Sequence, residues 1–503
     1  MPFDVTWLHA PVQLGTTVVL FVAHIVVAAR ALTRPNRAPA SRAAWVAVIM
    51  LAPLFGMFAY LLLGETSIGR SRLRRLERVR RRLALQMHAD QARRGDDIAG
   101  PVLGSAGALF ELARSINGFD ATQGNHIVLL GAADGAVDDP TGDCRAAIDQ
   151  LIEDIGQARE NVHIAFYIWL DDGTGRRVAD ALASAASRGV ACRVMVDALG
   201  SRAFIDGPRW RQLRQAGVQL LKTLDDINRL QHVAFSRMDL RDHRKLVVID
   251  NRIAYCGSQN CADPEFRVKP AYAPWIDMLL RCEGPVVRQV QHIFLIGWLS
   301  QSNEAGLEHL AASIDLPQAG AGSMALAFAT GPNTRHNAMA DMFVASIYAA
   351  RRELVVSTPY FVPDEPILRA LCAAPRRGVV TRLILPARND SWLVAQSSRS
   401  TYPDLLQSGV EVFEYQPGLL HAKSVTIDGE VAMLGSANMD RRSLELNFEN
   451  NLLIADPVTV AGIVQRQRAY LQASTQISLQ QVHAWSLPQR LVQNAVAMMS
   501  PVL

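Results

Sequence analysis

The chain has 503 residues, 50% of them hydrophobic and 19% charged, and its formal net charge is +4. This length predicts two or more globular units, and the apolar content is high for a purely soluble protein, which indicates some membrane contact. The six cysteines form no C-x-x-C pair, so the sequence favours reduced, structural thiols over a disulfide framework or a zinc site.

Two apolar runs open the chain, at residues 11–32 and 43–63. Each is about twenty residues long, which is enough to cross a hydrocarbon layer of about 30 Å. A secretory signal peptide is disfavoured, because no Lys or Arg precedes the first run and a second run follows at once. We therefore predict a transmembrane helical hairpin over residues 1–66, with two buried helices of a soluble domain as the alternative.

Arginines flank the second run on both sides and predict its orientation. The loop between the runs carries Arg34, Arg37 and Arg42, and the following segment carries ten arginines between residues 70 and 94. The larger positive excess is expected on the cytoplasmic side, which predicts a multi-pass protein of the inner (cytoplasmic) membrane with the remainder of the chain in the cytoplasm. Residues 67–120 are predicted to be a basic juxtamembrane linker that lies on anionic headgroups, or else a solvated helix. A reversed or re-entrant hairpin is an alternative topology.

From about residue 120 the chain alternates strand-like and helix-like segments, and it does so twice in the same order. A strand, a helix and a strand are predicted at 162–170, 175–189 and 190–199, and again at 353–362, 365–378 and 379–386. Such repeats favour a mainly parallel α/β sheet with right-handed crossovers. We predict two fused α/β halves with pseudo-two-fold symmetry, at residues 121–310 and 320–503.

One polar pattern occurs twice, at residues 243–260 (HRKLVVIDNRIAYCGSQN) and 421–438 (HAKSVTIDGEVAMLGSAN). On a strand, residues two apart leave the same face, so the His and Lys of each copy share a face. The apolar run before Gly-Ser-x-Asn is predicted to pair beside that strand, which returns Ser and Asn to the same edge. The repeated residues are His243, Lys245, Asp250, Ser258 and Asn260 in the first copy, and His421, Lys423, Asp428, Ser436 and Asn438 in the second.

If the two copies face each other, they provide the groups that a phosphodiester reaction needs. Ammonium, amide and hydroxyl groups bind the nonbridging oxygens and the charge that grows in the transition state. One imidazole attacks phosphorus and forms a phosphohistidine, while the other protonates the leaving alkoxide and then deprotonates the incoming alcohol. With two ammonium groups in place, we expect neither a metal nor another cofactor.

Four carboxylates complete this prediction. Asp277 and Glu449 stand in apolar runs beyond the two asparagines, and they are candidates to hold the far nitrogen of an imidazole; the alternative for each is a surface carboxylate. Asp250 and Asp428 belong to the repeated catalytic pattern, but five residues beyond the Lys they are expected to cap the strand turn and organise the fold.

The doubled H-x-K-x4-D with G-S-x-N resembles the phospholipase D superfamily. The chain is also similar to the bacterial cardiolipin synthase family in AWVAVIMLAPLFGMFAYLLLGE, FYIWLDDGTGRRVADAL, PYFVPDEPILRAL and HAKSVTIDGEVAMLGSANMDRRSLELNFENN. This resemblance leaves only about residues 65–120 weakly matched. It implies two phospholipase D-like halves that convert two phosphatidylglycerol molecules of the membrane into cardiolipin and glycerol through a phosphohistidine.

The resemblance also implies roles for particular residues. His243 is expected to be the nucleophile and His421 the acid/base. The phosphate is expected to be held by Lys245, Lys423, Asn260 and Asn438, together with Ser258 and Ser436, while Asp277 and Glu449 orient the imidazoles.

Other reactions on the same site stay open. Water as the acceptor gives a phospholipase D-type hydrolase, and another alcohol such as phosphatidylethanolamine gives a different phosphatidyltransferase. A nuclease of the superfamily, and with it a nucleic-acid partner, is less favoured, because the basic run adjoins a membrane span and has no interleaved aromatics. The halves also differ in sequence: Gln259 stands where the second copy has Ala437, and Asp440 and Arg442 have no clear partner in the first half. The oligomeric state is not predicted.

Overall fold

The computed structural model describes residues 9–35, 39–65, 68–94, 105–131, 141–225, 239–302, 304–311 and 322–499. They fall into two compact units. One contains the described residues up to Arg70, with residue 239 and residues 498–499. The other contains the described residues of 71–225 and 240–497.

The described residues of the N-terminal unit contain α1 (His9–Thr33), α2 (Pro39–Leu51) and α3 (Pro53–Leu63). The prediction of a single helix at 43–63 is wrong, because the helix is interrupted at Ala52. Pro53 has no N–H to donate, and its ring clashes with the preceding helical turn. The edge of one ring in the Trp45–Tyr60 pair meets the face of the other, with centroids 5.4 Å apart.

No helix within the described ranges combines the length and the apolar character that a membrane crossing requires.

Residues 67–120 are not a linker where the structure describes them. They contain α4 (Arg70–Arg94) and α5 (Ser105–Asn117). Leu76, Val79 and Leu83 form a buried stripe at helical spacing on α4, and Val79 and Leu83 join the main hydrophobic core. The apolar stripe therefore packs α4 against the hydrophobic core. The prediction of a linker rested on the arginines and did not use this stripe.

The first half contains eight strands and five helices within the described residues. They are β1 (Thr122–Leu129), α6 (Gly142–Gln157), β2 (Asn161–Phe166), α7 (Gly173–Ser187), β3 (Ala191–Asp197), α8 (Arg202–Asp206), α9 (Pro208–Gln215), β4 (Gln219–Thr223), β5 (Lys245–Ile249), β6 (Ile253–Gly257), β7 (Trp275–Ile276), β8 (Leu279–Glu283) and α10 (Val286–Gln301).

The second half repeats this order and extends it. Its elements are β9 (Ser323–Thr330), α11 (Ala338–Ala349), β10 (Glu353–Ser357), β11 (Phe361–Val362), α12 (Glu365–Arg376), β12 (Val380–Pro386), α13 (Trp392–Ser400), α14 (Tyr402–Gln407), β13 (Glu411–Tyr415), β14 (Leu419–Leu420), β15 (Ser424–Ile427), β16 (Val431–Gly435), β17 (Met439–Asp440), β18 (Glu449–Ala455), α15 (Pro457–Gln472), β19 (Ser474–Ile477), α16 (Leu479–His483) and α17 (Leu487–Met499).

The corresponding helices α7 and α12 begin and end for the same local reasons. Asp172 caps α7 by accepting from the backbone N–H of Gly175, and Asp364 caps α12 by accepting from that of Ile367. After each helix the chain turns through a glycine with positive φ, at Gly189 and Gly378. The repeated sequence therefore predicts repeated local structure.

One mixed sheet of 15 strands runs through both halves of the described chain, in the order β19-β13-β12-β10-β15-β16-β18-β9-β1-β8-β6-β5-β2-β3-β4. The order is similar in both directions from the central antiparallel pair of β1 and β9. The predicted pair of fused α/β halves is confirmed. A mainly parallel sheet is wrong, since parallel pairing is confined within this sheet to β2-β3-β4 and β10-β12-β13.

The antiparallel pairs have a local cause. β5 joins β6, and β15 joins β16, through short turns whose first two residues have positive φ: Asp250 and Asn251 in one, Asp428 and Gly429 in the other. Asp, Asn and Gly are the residues that tolerate this conformation, and such turns connect adjacent antiparallel strands. Both copies of the polar pattern therefore lie on antiparallel hairpins in the interior of the sheet.

Candidate active site

The two hairpins place the repeated polar residues where each motif strand begins. Lys245 is the first residue of β5, and Lys423 immediately precedes β15. β6 pairs with β5 with Leu246 opposite Cys256, so the chain that follows β6 returns to the edge where His243 and Lys245 lie. This is the arrangement that the period of two predicts for the pattern.

Each imidazole is held by a carboxylate of the other half. His243 Nδ1 lies 2.9 Å from a Glu449 carboxylate oxygen, and His421 Nδ1 lies 2.7 Å from Asp277 Oδ1. The backbone follows the same crossed arrangement: His243 N–H donates to the carbonyl of Phe448 at 2.9 Å, and His421 N–H donates to that of Ile276 at 2.7 Å. Neither half therefore builds its imidazole–carboxylate pair alone.

Ser258 and Ser436 lie behind these pairs. Ser258 Oγ donates to Asp277 Oδ1 at 2.6 Å, and Ser436 Oγ donates to Glu449. Both serines are fully buried. Each hydroxyl is therefore engaged by the carboxylate that holds an imidazole, and the contact of the serines with the phosphate stays a prediction.

The two lysines are buried and make equivalent contacts. Lys245 Nζ donates to the backbone carbonyl of His243 at 2.8 Å, and Lys423 Nζ donates to that of His421 at 2.5 Å. Burial lowers the pKa of Lys245 to about 8 and that of Lys423 to about 7. An anionic group bound beside them is expected to restore the full positive charge of both.

The asparagines at the ends of the two patterns are buried beside the motif strands. Asn260 Oδ1 accepts from the backbone N–H of Ile168 at 3.3 Å. Asn438 Oδ1 is buried with no hydrogen-bond partner among the described residues. Asn260 follows β6 and Asn438 follows β16, and neither amide N–H₂ group donates a hydrogen bond to another of the described residues.

Asp250 and Asp428 contact the backbone of the opposing loop. Asp250 accepts from the N–H groups of Arg159, Glu160 and Asn161. Asp428 accepts in the same way from residues 351–353. Each carboxylate thus joins the turn of a motif hairpin to the start of the neighbouring strand.

Burial lowers the pKa of both imidazoles to about 4. Burial alone would raise the pKa of Glu449 and Asp277, but attraction to the adjacent imidazole and hydrogen bonds outweigh it, so both carboxyl groups have pKa values below their usual range. At neutral pH each pair is a carboxylate with a neutral imidazole. The carboxylate holds the proton on Nδ1, which leaves the Nε2 lone pair free to react.

The lysine charges act across the halves. The charge of Lys423 lowers the pKa of His243, and the charge of Lys245 lowers that of His421. An anion that contacts one imidazole is therefore within the field of both lysines.

Several residues around the imidazoles were missed by the sequence prediction. Glu449 also accepts from Ser443 Oγ at 2.8 Å and from Asn447 Nδ2 at 3.2 Å. The ring of Tyr167 is tilted by 60° against that of His243, with centroids 4.8 Å apart, and the ring of Trp275 is tilted by 41° against that of His421, with centroids 4.6 Å apart. The dense polar run from Met439 to Asn450 was visible in the sequence, but nothing in it indicated which side chain would meet Glu449.

The two sequence differences between the copies also have structural consequences. Gln259 Nε2 donates to the backbone carbonyl of Cys144 at 2.8 Å, where Ala437 packs in an apolar cluster in the second half. Asp440 is buried and accepts from the backbone N–H of Ser443 at 2.9 Å. Burial raises the pKa of Asp440 to about 6.

Comparison with known proteins gives a consistent result along the chain. A family model described as the phospholipase D-like domain of cardiolipin synthase matches residues 151–287 and 343–472, and a model of the N-terminal region of phospholipase D-nuclease proteins matches residues 19–65. The two matches to the first model each contain one copy of the repeated pattern.

Curated relatives match nearly the full length. The chain is 36% identical over 477 residues to cardiolipin synthase A of Cronobacter sakazakii, covering 93% of this chain and 94% of that protein. It is 34% identical over 478 residues to cardiolipin synthase A of Proteus mirabilis, with the same coverage.

Among solved structures, a phosphatidylserine synthase from Haemophilus influenzae matches with a TM-score of 0.56 at 14% identity, covering 75% of this chain and 95% of that one. At this identity the likeness supports the fold alone.

Proposed function

The chain belongs to the cardiolipin synthase family of the phospholipase D superfamily, and we propose that its two halves form one site for a phosphatidyl transfer between two lipids. The donor is phosphatidylglycerol, the acceptor is the glycerol hydroxyl of a second phosphatidylglycerol, and the products are cardiolipin and glycerol. The crossed pairs His243–Glu449 and His421–Asp277 carry this proposal, because neither imidazole is held without the other half.

In the first step His243 Nε2 attacks phosphorus, and the bond from phosphorus to the glycerol headgroup breaks. Glu449 holds the Nδ1 proton and offsets the positive charge that the phosphorylated ring acquires. The leaving glycerol oxygen takes a proton from His421. Because burial lowers the pKa of His421 to about 4, it gains that proton only when the phosphate anion has entered beside it.

In the second step His421, now neutral, accepts the proton of the acceptor hydroxyl. The acceptor oxygen attacks phosphorus, the bond to His243 breaks, and cardiolipin leaves. Lys245, Lys423, Asn260 and Asn438 are proposed to hold the nonbridging oxygens in both steps. Asp250 and Asp428 contribute by fixing the two hairpins through the backbone contacts described above.

We further propose that residues 1–66 attach the enzyme to the inner membrane as a helical hairpin, with α2 and α3 together forming the second arm. Residues 121–310 and 320–503 are the two phospholipase D-like domains, on the cytoplasmic side. The position of the arginines supports this orientation. Reporter fusions at the C-terminus test it: the proposal predicts a signal from a cytoplasmic reporter, and a signal from a periplasmic one contradicts it.

The reaction is tested with purified full-length protein and phosphatidylglycerol labelled in the headgroup glycerol and in the acyl chains. We expect all the acyl label of the consumed lipid in cardiolipin, half of its headgroup label in cardiolipin and half in free glycerol, with one glycerol released for each cardiolipin formed. Phosphatidate as the main product would indicate a hydrolase, and transfer to added phosphatidylethanolamine in preference would indicate a different acceptor.

The assignment of roles is tested with His243→Ala and His421→Ala. Both are expected to lose about 10³-fold or more in turnover, since each removes a group that bonds to a reacting atom. A covalent lipid adduct is expected to form on His421→Ala but not on His243→Ala. The reverse result would exchange the two roles.

A further inference from the structure

One part of the site's surroundings exposes large apolar side chains. Trp392 is 59% exposed, Leu393 is 38% exposed and Val268 is 64% exposed. Trp392 and Leu393 are the first two residues of α13, and Val268 lies in the loop before β7. We call these three residues the apolar rim. Single exposed apolar residues are common, whereas exposed apolar residues that cluster mark a surface for binding a protein, a membrane or a ligand.

The two parts of the rim are held together. Lys269 Nζ donates to Asp390 Oδ2 at 2.6 Å, and Tyr360 Oη donates to Asp390 Oδ1 at 2.7 Å. Arg388 donates to the backbone carbonyl of Ala271 at 3.2 Å. Lys269 and Ala271 lie close in sequence to Val268, and Arg388 and Asp390 lie close to Trp392. These hydrogen bonds therefore hold the two loops of the rim next to each other.

The rim leads directly to one imidazole. In the same loop as Val268, the ring of Phe266 stacks on that of Trp275 with centroids 3.8 Å apart, and Trp275 lies 4.6 Å from the ring of His421. Phe266 and Trp275 belong to a buried apolar cluster with Leu419. Packed aromatic rings therefore connect the loop that carries Val268 with the imidazole that we assign as the acid/base.

The exposed charges at the rim are mainly positive. Arg267, Lys269 and Arg388 are exposed, and Glu265 is the exposed acidic residue of the same loop, where it pairs with Arg145. The side chain of Asp390, which pairs with Lys269, is 4% exposed. Basic residues beside Trp and Leu are the combination that favours an anionic membrane surface.

The first half differs at the corresponding position. There α8, which follows β3 as α13 follows β12, begins with the exposed residues Arg202 and Ala203. The apolar start of α13 is thus not a consequence of the repeated fold.

We propose that the apolar rim inserts into the surface of an anionic bilayer and forms the place where phosphatidylglycerol leaves the membrane for the His421 side of the site. This inference rests on the proposed function, since it assigns the lipid entrance of the same site. It gives the catalytic body its own contact with the substrate membrane.

The test uses full-length Trp392→Gln/Leu393→Gln protein with two forms of substrate: vesicles of long-chain phosphatidylglycerol, and dihexanoyl phosphatidylglycerol below its critical micelle concentration. Removing the two inserted side chains is expected to lower kcat/KM on vesicles on the order of 10-fold. Activity on the dispersed short-chain lipid is expected to stay within about twofold, because that lipid does not need to be extracted from a bilayer.

Val380→Gln/Val458→Gln is the matched control, since both valines are exposed and stand outside the rim; it is expected to act as wild type on both substrates. Equal loss of activity on both lipid forms by the rim variant, or no loss on vesicles, overturns the proposal.

A second readout is independent of turnover. The difference in fluorescence between wild type and Trp392→Gln should be quenched by brominated acyl chains in the vesicles. If the fluorescence of Trp392 is not quenched, the proposal that the rim inserts into the bilayer is overturned. Wild-type protein that is inactive on both lipid forms would instead contradict the proposed function.

Discussion

The His243–Glu449 pair and the His421–Asp277 pair differ in how firmly the carboxylate is held. Among the described residues, Glu449 accepts from the side chains of His243, Ser436, Ser443 and Asn447. Asp277 accepts from the side chains of His421 and Ser258. A carboxylate with more donors is fixed more strongly in position and in its ionised form.

This difference suits the two tasks of a transfer reaction. The proposed nucleophile must hold one tautomer and carry a positive charge while the phosphatidyl group is attached, which a strongly anchored Glu449 favours. The proposed acid/base must gain and lose a proton in each cycle, which a less strongly held Asp277 permits. A symmetric fold therefore provides two copies of one pair, and the residues around each carboxylate adapt the copy to its step.

The largest effect is expected from a buried ion pair that the first half has and the second lacks. Arg244 donates twice to the carboxylate of Asp242, at 2.6 and 2.7 Å, whereas Ala422 stands at the equivalent place in the second pattern. Arg244→Ala leaves the buried Asp242 uncompensated and is expected to lower the free energy of unfolding by about 3–5 kcal/mol, as measured by denaturant unfolding.

Asp242→Leu/Arg244→Met removes both charges and serves as the control. It is expected to recover most of the lost stability, because no buried charge is left unpaired. A double variant as unstable as Arg244→Ala would show that the charge pair is not the cause.

The next effect is expected from the carboxylates of the crossed pairs. Glu449→Gln and Asp277→Asn remove the charge that holds each imidazole, and each is expected to lower kcat about 10- to 100-fold. Steady-state kinetics on phosphatidylglycerol measures this. Glu430→Gln, at a residue whose side chain is 67% exposed, is the control and should leave kcat unchanged.

The crossed arrangement predicts which intermediate each variant affects. Glu449→Gln should slow formation of the covalent adduct on His243, although the two residues lie in different halves. Adduct formation that depends on Asp277 and is insensitive to Glu449 would contradict the pairing.

A smaller effect sharpens the comparison between the halves. Ser258 and Ser436 occupy equivalent places, but Glu449 keeps Ser443 and Asn447 when Ser436 is removed. Ser258→Ala is therefore expected to lower kcat about 10-fold and Ser436→Ala about threefold, from the loss of one hydrogen bond to a charged group in each case. Equal losses would show that the additional donors do not support Glu449.

The smallest effect concerns pH. Since the pKa of Lys245 is lowered to about 8 and that of Lys423 to about 7, the free enzyme loses ammonium charge as pH rises through this range. We expect kcat/KM for phosphatidylglycerol to fall above about pH 7–8, because the anionic phosphate binds the protonated lysines.

A variant of Asp440 tests whether Lys423 causes part of this fall in kcat/KM at alkaline pH, which we call the alkaline limb. The negative charge of Asp440 raises the pKa of Lys423, so Asp440→Asn is expected to shift the alkaline limb to lower pH by a few tenths, a size typical of one partly offset charge. Asp206→Asn, at a carboxylate whose side chain is 68% exposed, is the control that should leave the limb in place. A shift to higher pH in Asp440→Asn would contradict the sign of this interaction.

Much of the site follows from the sequence because it depends on local geometry. The period of two places His243 with Lys245, and the turn at Asp250 and Asn251 returns Ser258 and Asn260 to the same edge. Such contacts are set by residues a few positions apart or by one hairpin.

The features that the sequence did not predict depend on how distant segments meet. The crossed pairing of His243 with Glu449 requires the second half to lie across the first, which no spacing within one pattern specifies. The hydrogen bonds of Ser258 and Ser436 to the carboxylates were also not predicted, because they depend on how β6 pairs with β8 and how β16 pairs with β18. The interruption of the helix at Pro53 could have been predicted locally, because proline disfavours a helix interior. The prediction instead followed the length of the apolar run.

Both halves are proposed to act on one phosphorus atom. Orthovanadate, which adopts the five-coordinate geometry of phosphoryl transfer, tests this in a calorimetric titration of the full-length protein and of the His243→Ala and His421→Ala variants. We predict one vanadate bound per chain, with binding strongly weakened in either variant. Two vanadates per chain, or one retained at full affinity in each variant, would mean that the halves hold separate sites and would contradict the account.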